Sequence, residues 1–143
     1  NGSSVHIGEY SRIAFETTIM NSGFHHVYNS SKKSIIRTTR PIYIGKYCWI
    51  GNRSTLLAGA AIKDFTIVCA SSLINRDFTQ MECENQMLGG SPAKMICCGM
   101  KRIFSPKLES QVIRWFNEHP TENVYVLEQL DDNVTDVNSE FGR

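Results

Sequence analysis

Residues 44–75, IGKYCWIGNRSTLLAGAAIKDFTIVCASSLIN, decide the fold. A large aliphatic side chain returns at every sixth position: Ile44, Ile50, Leu56, Ile62, Val68 and Ile74. A helix needs a period near 3.6, which would turn position i+6 away from position i. One strand of this length lies outside normal strand sizes. The chain must therefore turn at short, regular intervals, as repeat architectures do. Gly45 and Gly51 follow the first two aliphatics and are read here as turn formers that escape a Cβ penalty. Cys48, Ser54, Ala60, Thr66 and Ser72 keep a matching position small. Large inside, small at the bend and polar outside describes a narrow prism with three flat faces. Each hexapeptide makes one face and three make one coil. Coils stacked by parallel strand pairing would fill the axis with the Ile/Leu/Val column.

The register extends upstream through Ile7, Ile13 and Ile19, with Gly8, Ser11, Thr17 and Gly23 in the matching positions. Between Ile19 and Ile44 the spacing breaks. The polar, basic segment HHVYNSSKKSIIRTTRP reads as a loop, 26–41, thrown out from the coil. Long loops on a rigid scaffold are favoured places for function. After Ile74 the pattern stops, and NRDFTQMECENQMLGGSPAK reads as an irregular exit with a Gly-Gly-Ser-Pro turn. SPKLESQVIRWFNEHP predicts a helix with Ser105 as N-cap, Pro106 as its first residue, and Leu108, Val112, Trp115 and Phe116 on one face. Pro120 ends it. The tail holds one short strand-like run, Val124 to Leu127, and an acidic end. Two domains follow: coil and loop over 1–100, helix and tail over 101–143. The opening residues NGSSVHIGEYS read like the middle of a structure, so a preceding N-terminal piece is expected.

A chain of 143 residues, 41% hydrophobic and 20% charged, suits a globular protein with a sizeable core. A net charge of +1 gives no bulk basic field for nucleic acid or membrane surfaces. No apolar run of about 18 residues occurs, so no transmembrane segment is expected. Five cysteines, an odd count without a CxxC pair, read as small reduced residues of a cytoplasmic protein. Asn-x-Ser/Thr triplets at Asn1, Asn29, Asn52 and Asn133 carry no information in that setting.

Three local patterns go beyond the repeat. YCWIGNRSTLLAGAAI, VCASSLINRDF and GGSPAKMI are similar to the "vWIG…I..GvtI", "iGAGSvVtkDi" and "GNPAKvI" segments of the hexapeptide-repeat acyltransferases. The resemblance covers roughly residues 5–100. It implies an all-β, left-handed parallel β-helix with an inserted loop and a C-terminal helix. It also implies acetyl-CoA or another acyl-CoA as donor, and a homotrimer with sites between subunits. Departures include Cys69 and Ser71 where the family has Gly around the Ala, Ala58 for a common Pro, and Gly90-Ser91 for "GN".

Acyl transfer to a hydroxyl needs a base for the proton and donors for the oxyanion. Histidine suits the first task. The resemblance places the catalytic His where the long loop leaves the coil. NSGFHHVYN puts His25 there as general base, with His26, Tyr28 and Asn29 lining the acceptor pocket. Tyr43 is a further polar aromatic that could meet a sugar. His6 and His119 read as surface residues. Many relatives carry an Asp two residues before the catalytic His; this chain has Gly23, so a backbone carbonyl is expected to hold the other ring nitrogen. Carried over by position, Asn52, Ala70, Ser71, Asn75, Arg76, Lys94 and Cys97 would touch CoA, with Arg76 and Lys94 on its phosphates. Trp49 would shape the thioester end or pack at a subunit contact.

The expected reaction is direct acetyl transfer in a ternary complex to a hydroxyl of a sugar or surface-polysaccharide precursor. Serine or a small xenobiotic alcohol is the same-class alternative. A non-catalytic assembly module is another. A zinc hydratase on the same scaffold needs three His on adjacent coils, and the repeats lack a third, so no metal is expected.

Overall fold

The computed structural model describes residues 4–127. Its strands are β1 (Val5–Ile7), β2 (Arg12–Ile13), β3 (Thr18–Met20), β4 (Tyr28–Asn29), β5 (Ser34–Ile35), β6 (Ile42–Ile44), β7 (Trp49–Ile50), β8 (Thr55–Leu57), β9 (Ala61–Ile62), β10 (Ile67–Val68), β11 (Leu73–Ile74), β12 (Met87–Gly90) and β13 (Ala93–Cys97). Helix α1 spans Pro106–Glu118. Two compact units divide at Met100 and Lys101.

The first unit is built from three short parallel sheets, visited in rotation. The first holds β1, β6 and β9, the second β2, β7, β10 and β12, and the third β3, β8 and β11. Tyr43 pairs with Ala61, Trp49 with Ile67 and Thr55 with Leu73, a return of 18 residues each time. Three hexapeptides therefore make one coil, as the period of six requires. The aliphatic column forms a single core: Ile44, Ile50, Leu56, Ile62 and Ile74 are fully buried and Val68 nearly so. Ile7 and Ile13 continue the column but are 46% and 38% exposed, because β1 and β2 are edge strands of their sheets.

The small column lines the bends from inside. Cys48, Ser54, Ala60, Thr66 and Ser72 are all buried. Their polar atoms bond to turn carbonyls: Thr66 Oγ1 donates to Lys63 O (2.8 Å), Ser72 Oγ to Cys69 O (2.7 Å) and Ser54 Oγ to the same oxygen (3.1 Å). A larger side chain would not fit, and an apolar one at 54, 66 or 72 would remove a donor to a turn carbonyl.

The glycines do a different job from the one expected. The left-handed backbone falls two residues later, at Tyr47 (φ 54°) and Arg53 (φ 59°). Gly51 is required by the neighbouring coil, since a Cβ there would lie 2.5 Å from Ala70 N and 2.8 Å from Val68 O. The left-handed corners carry large side chains instead. Tyr10, Tyr47 and Phe65 occupy one corner of successive coils and stack in parallel, with centroids 5.2 and 5.0 Å apart.

Three other expectations change. The coil does not stop at Ile74: Phe78 and Leu88 enter the core, and β12 adds to β10 in parallel. The supposed irregular exit is largely the antiparallel β12–β13 hairpin, turning at Gly90 and a cis Ser91–Pro92 bond. Nor are all the cysteines reduced, because Cys83 and Cys98 form a disulfide that ties the two ends of this segment. Spacing gave no sign of it, since the hairpin brings together two cysteines 15 residues apart. The bond also removes the argument for a reducing compartment that rested on free thiols.

In the second unit, Ser105 caps α1 by accepting from Leu108 N (3.3 Å), with Pro106 in the first turn. At the other end Trp115 stacks on His119 at 4.3 Å, and His119 Nδ1 lies 2.8 Å from Trp115 O. Val124 to Leu127 form no strand, in contrast to the expectation, and the acidic end lies outside the described residues.

Candidate active site

The three corners of the coil are not equivalent. Two are short turns in the three coils from β1 to β11. The third, between the third sheet and the first, carries the long loop in its first passage. There Ile7 to Ile44 takes 37 residues, so 19 more than a standard coil are accommodated.

The neck of this loop is stitched shut. Arg40 N donates to Asn21 O (3.0 Å) and Gly23 N to Thr38 O (3.1 Å). The Ser22 and Thr39 hydroxyls lie 2.7 Å apart, and the two residues form an antiparallel bridge. Beyond the neck, β4 and β5 make a small hairpin whose turn is held by Asn29 Oδ1, accepting from Lys32 N (2.9 Å). His25 leaves the neck two residues after Gly23, the last residue of the stitching.

A groove of about 490 Å³ opens beside the neck. Its wall is apolar at Met20, Val27, Ile36, Leu57 and Ala58. Its polar groups are Ser22, Arg37, Thr38, Arg40 and Asn75. An apolar wall with a few convergent polar groups is the usual make-up of a small-molecule site.

Of the expected site residues, Asn75 lines this groove. His25 is exposed and lies between Gly23 and Val27, which both line it, without belonging to the lining itself. Neither ring nitrogen of His25 has a hydrogen-bond partner among the described residues, so the expected backbone carbonyl is not in place. His26 and Tyr28 are exposed on the loop, and the oxygen of Asn29 is engaged in its turn. Tyr43 stacks on His6 at 4.8 Å, which gives His6 a packing role.

The expected CoA contacts fall into three groups within one chain. Asn52, Ala70 and Ser71 share the corner between the second and third sheets, where Ser71 N donates to Asn52 O (2.9 Å). Asn75 and Arg76 lie at the loop corner, with the Arg76 guanidinium 4.7 Å from the Phe78 ring centre. Lys94 and Cys97 sit on β13, where Lys94 is exposed and Cys97 half-buried and free. The two corners flank the third sheet, so these residues do not converge on one surface of a single chain. Trp49 is 44% exposed on β7.

Sequence reasoning passed over Arg37 and Arg40. The basic run RTTRP is visible in the sequence, but only the fold of the neck puts both arginines in the groove's lining. Gly59, at φ +88°, gives the Arg40 guanidinium its place: a Cβ there would lie 2.9 Å from Arg40 Cζ.

No family model matches the sequence. Two solved structures share this fold. One is a crystallographic analysis of the polysialic acid O-acetyltransferase OatWY, with TM-score 0.59 and 24% identity, matching 78% of this chain and 54% of that one. The other is a crystal structure of the polySia-specific acetyltransferase NeuO, with TM-score 0.57 and 18% identity, matching 81% of this chain and 62% of that one. This chain thus spans a little over half the length of either.

Proposed function

We propose that this chain is a left-handed β-helix O-acetyltransferase of the hexapeptide-repeat type. It moves an acetyl group from acetyl-CoA to a hydroxyl of a sugar or surface-polysaccharide precursor. The observation that carries the reading is the largely apolar groove at the loop corner, bordered by the stitched neck from which His25 emerges. The likeness to two polysaccharide acetyltransferases supports it.

In this reading His25 takes the proton of the acceptor hydroxyl as its oxygen attacks the thioester carbonyl. The carbonyl oxygen gains negative charge, the carbon–sulfur bond breaks, and the imidazolium returns the proton to the departing thiolate. The apolar groove wall suits the pantetheine arm, and Asn75, Arg76 and Lys94 supply polar contacts for CoA. The separation of the expected CoA contacts over two corners and a hairpin favours a site shared between subunits of a homotrimer. The exposed apolar side chains of the loop, Phe24 (89%), Val27, Ile35 and Ile36, fit the same assembly, since such patches mark interaction surfaces. A cytoplasmic location goes with an acetyl-CoA donor.

A non-catalytic assembly module is the second reading, favoured by the absence of a partner for the His25 ring among the described residues. Acetyl-CoA titration into the wild-type protein and His25→Ala, with the oligomeric state measured in parallel, decides between them. Binding to both, with transfer to sugars lost about 100-fold or more in the variant, is expected. A folded protein that binds no acetyl-CoA would refute the enzyme.

A further inference from the structure

Five large apolar side chains of the inserted loop stand in solvent, and they stand among cations. Phe24 is 89% exposed, and Val27, Tyr28, Ile35 and Ile36 are each 60% exposed or more. Lys32, Lys33, Arg37 and Arg40 share the segment 21–40, and no acidic residue occurs in the sequence between Glu16 and Asp64. Lys32, Lys33 and Arg37 have no ion pair among the described residues, whereas Lys46, Arg53 and Lys63 each pair with a glutamate elsewhere on the coil. The β4–β5 hairpin sorts its apolar residues onto two faces. Tyr28 lies opposite Ile35 in the register, so both project from one side. Val27 and Ile36, one step further along each strand, project from the other side and line the groove. Tyr28 and Ile35 therefore make a separate apolar face, turned from the groove and next to the Lys32–Lys33 turn that Asn29 Oδ1 holds.

We propose that this face of the hairpin is a peripheral anchor for an anionic lipid surface. Such anchoring does not depend on what the groove does. Interfacial anchors bury apolar side chains at the boundary between headgroups and acyl chains, while flanking cations meet the lipid phosphates. Tyr28 suits that boundary, with an apolar ring and a hydroxyl that stays wet. Lysine stems lie along apolar surface and carry their charge out to the headgroups. The charge pattern selects this occupant. Lipid phosphates neutralise unpaired cations without any fitted geometry. A second copy docked by the same face would set its own Lys32 and Lys33 against these, with no acid in the segment 21–40 to answer them. The net charge of +1 supplies no field from the rest of the chain, so attachment rests on this hairpin. Docking there leaves Val27 and Ile36 to the groove and holds the groove beside the bilayer.

The test floats the full chain with vesicles of phosphatidylcholine alone, and of phosphatidylcholine with about one third phosphatidylglycerol, at about 0.1 M salt. Wild type is expected on the anionic vesicles and not on the neutral ones, with binding weakened as salt rises to about 0.5 M. Lys32→Gln with Lys33→Gln should weaken it about 10- to 30-fold, the range for two cations near an anionic surface. Tyr28→Ser with Ile35→Ser should weaken it about 10-fold or more through lost apolar burial. Lys46→Gln, at the corner between the first and second sheets, should leave it unchanged. Tyr28→Trp keeps an aromatic ring and should still bind, with fluorescence quenched beyond the wild-type level by lipids brominated on their acyl chains. Circular dichroism and light scattering follow the fold and oligomeric state of each variant. Absence of wild type from the anionic vesicles overturns the proposal, as does undiminished binding by the double lysine variant. Binding of Tyr28→Trp without the added quenching also overturns it, since the hairpin would then lie outside the bilayer. A lower oligomeric state in Tyr28→Ser with Ile35→Ser assigns the face to a contact between copies of this chain, and overturns it too.

Discussion

Replacing Gly51 with alanine tests whether inter-coil contact, and not turn conformation, fixes the glycines of the repeat. The added methyl would sit 2.5 Å from Ala70 N, 2.8 Å from Val68 O and 2.9 Å from Ala70 Cα, all main-chain atoms of the next coil. Ordinary contact needs about 3.4 Å or more, so the coils must part locally by roughly 1 Å. Two inter-coil bonds cross this point, Gly51 N to Val68 O (2.8 Å) and Ser71 N to Asn52 O (2.9 Å). Stretching both costs about 1 kcal/mol each, and overpacking adds about 1–3 kcal/mol. Against this, alanine restricts the unfolded chain and returns about 0.4–1 kcal/mol. The net loss is about 2–4.5 kcal/mol, which lowers the melting temperature by roughly 7–15 °C for a chain of this size. Gly23→Ala is the control: its nearest neighbour is Thr38 Cβ at 3.7 Å, and its effect should stay within about 0.5 kcal/mol. Urea unfolding followed by circular dichroism reads both, with the slope unchanged if only stability moves. A Gly51→Ala midpoint equal to wild type, or an equal loss in Gly23→Ala, would refute the reasoning.

Burial pushes the Cys48 thiol up to about 12, with the charge of Asp64 adding to it and hydrogen bonds around Thr66 and Ser11 opposing it. The folded chain keeps this proton while the unfolded chain releases it near 9.0, so stability present below pH 9 falls between pH 9 and 12. The limiting slope is about 1.4 kcal/mol per pH unit, and Cys48→Ala should flatten it in urea melts taken from pH 8 to 11. Cys48 should also resist thiol reagents at pH 8, whereas the half-buried Cys69 and Cys97 are labelled. Opening the Cys83–Cys98 bond, by Cys83→Ser with Cys98→Ser, should cost about 3 kcal/mol from loop closure over a separation of 15 residues. A melt unchanged by the double substitution would place that segment's stability in its strand pairing alone.

The period of six was enough to read the coil because one side chain per face must fill a narrow axis, and six turns of it run too long for a single strand. The continuation past Ile74 was hidden because Phe78 and Leu88 fill the same axis from irregular spacings. The glycines were visible but misattributed, since one chain cannot show which backbone lies beside it. The placement of Arg37 and Arg40 depends on the stitching of 21–23 to 38–40, which no local pattern encodes. Asn75 could be carried over by position and lines the groove, while Asn52, Ala70 and Ser71 share a matched motif but lie at another corner.

The corner that bears the loop also limits how this architecture can vary. An extra residue within one of the strands from β6 to β11 would turn the aliphatic of that face off the axis. At the neck, 19 extra residues leave the register of the next coil intact, because the chain departs and re-enters at bonded positions, Asn21 and Arg40. The segment between them behaves as an exchangeable cassette in a fixed socket. Loops of other lengths and chemistries can be installed there without renegotiating the core, and each would bring its own wall to the same groove.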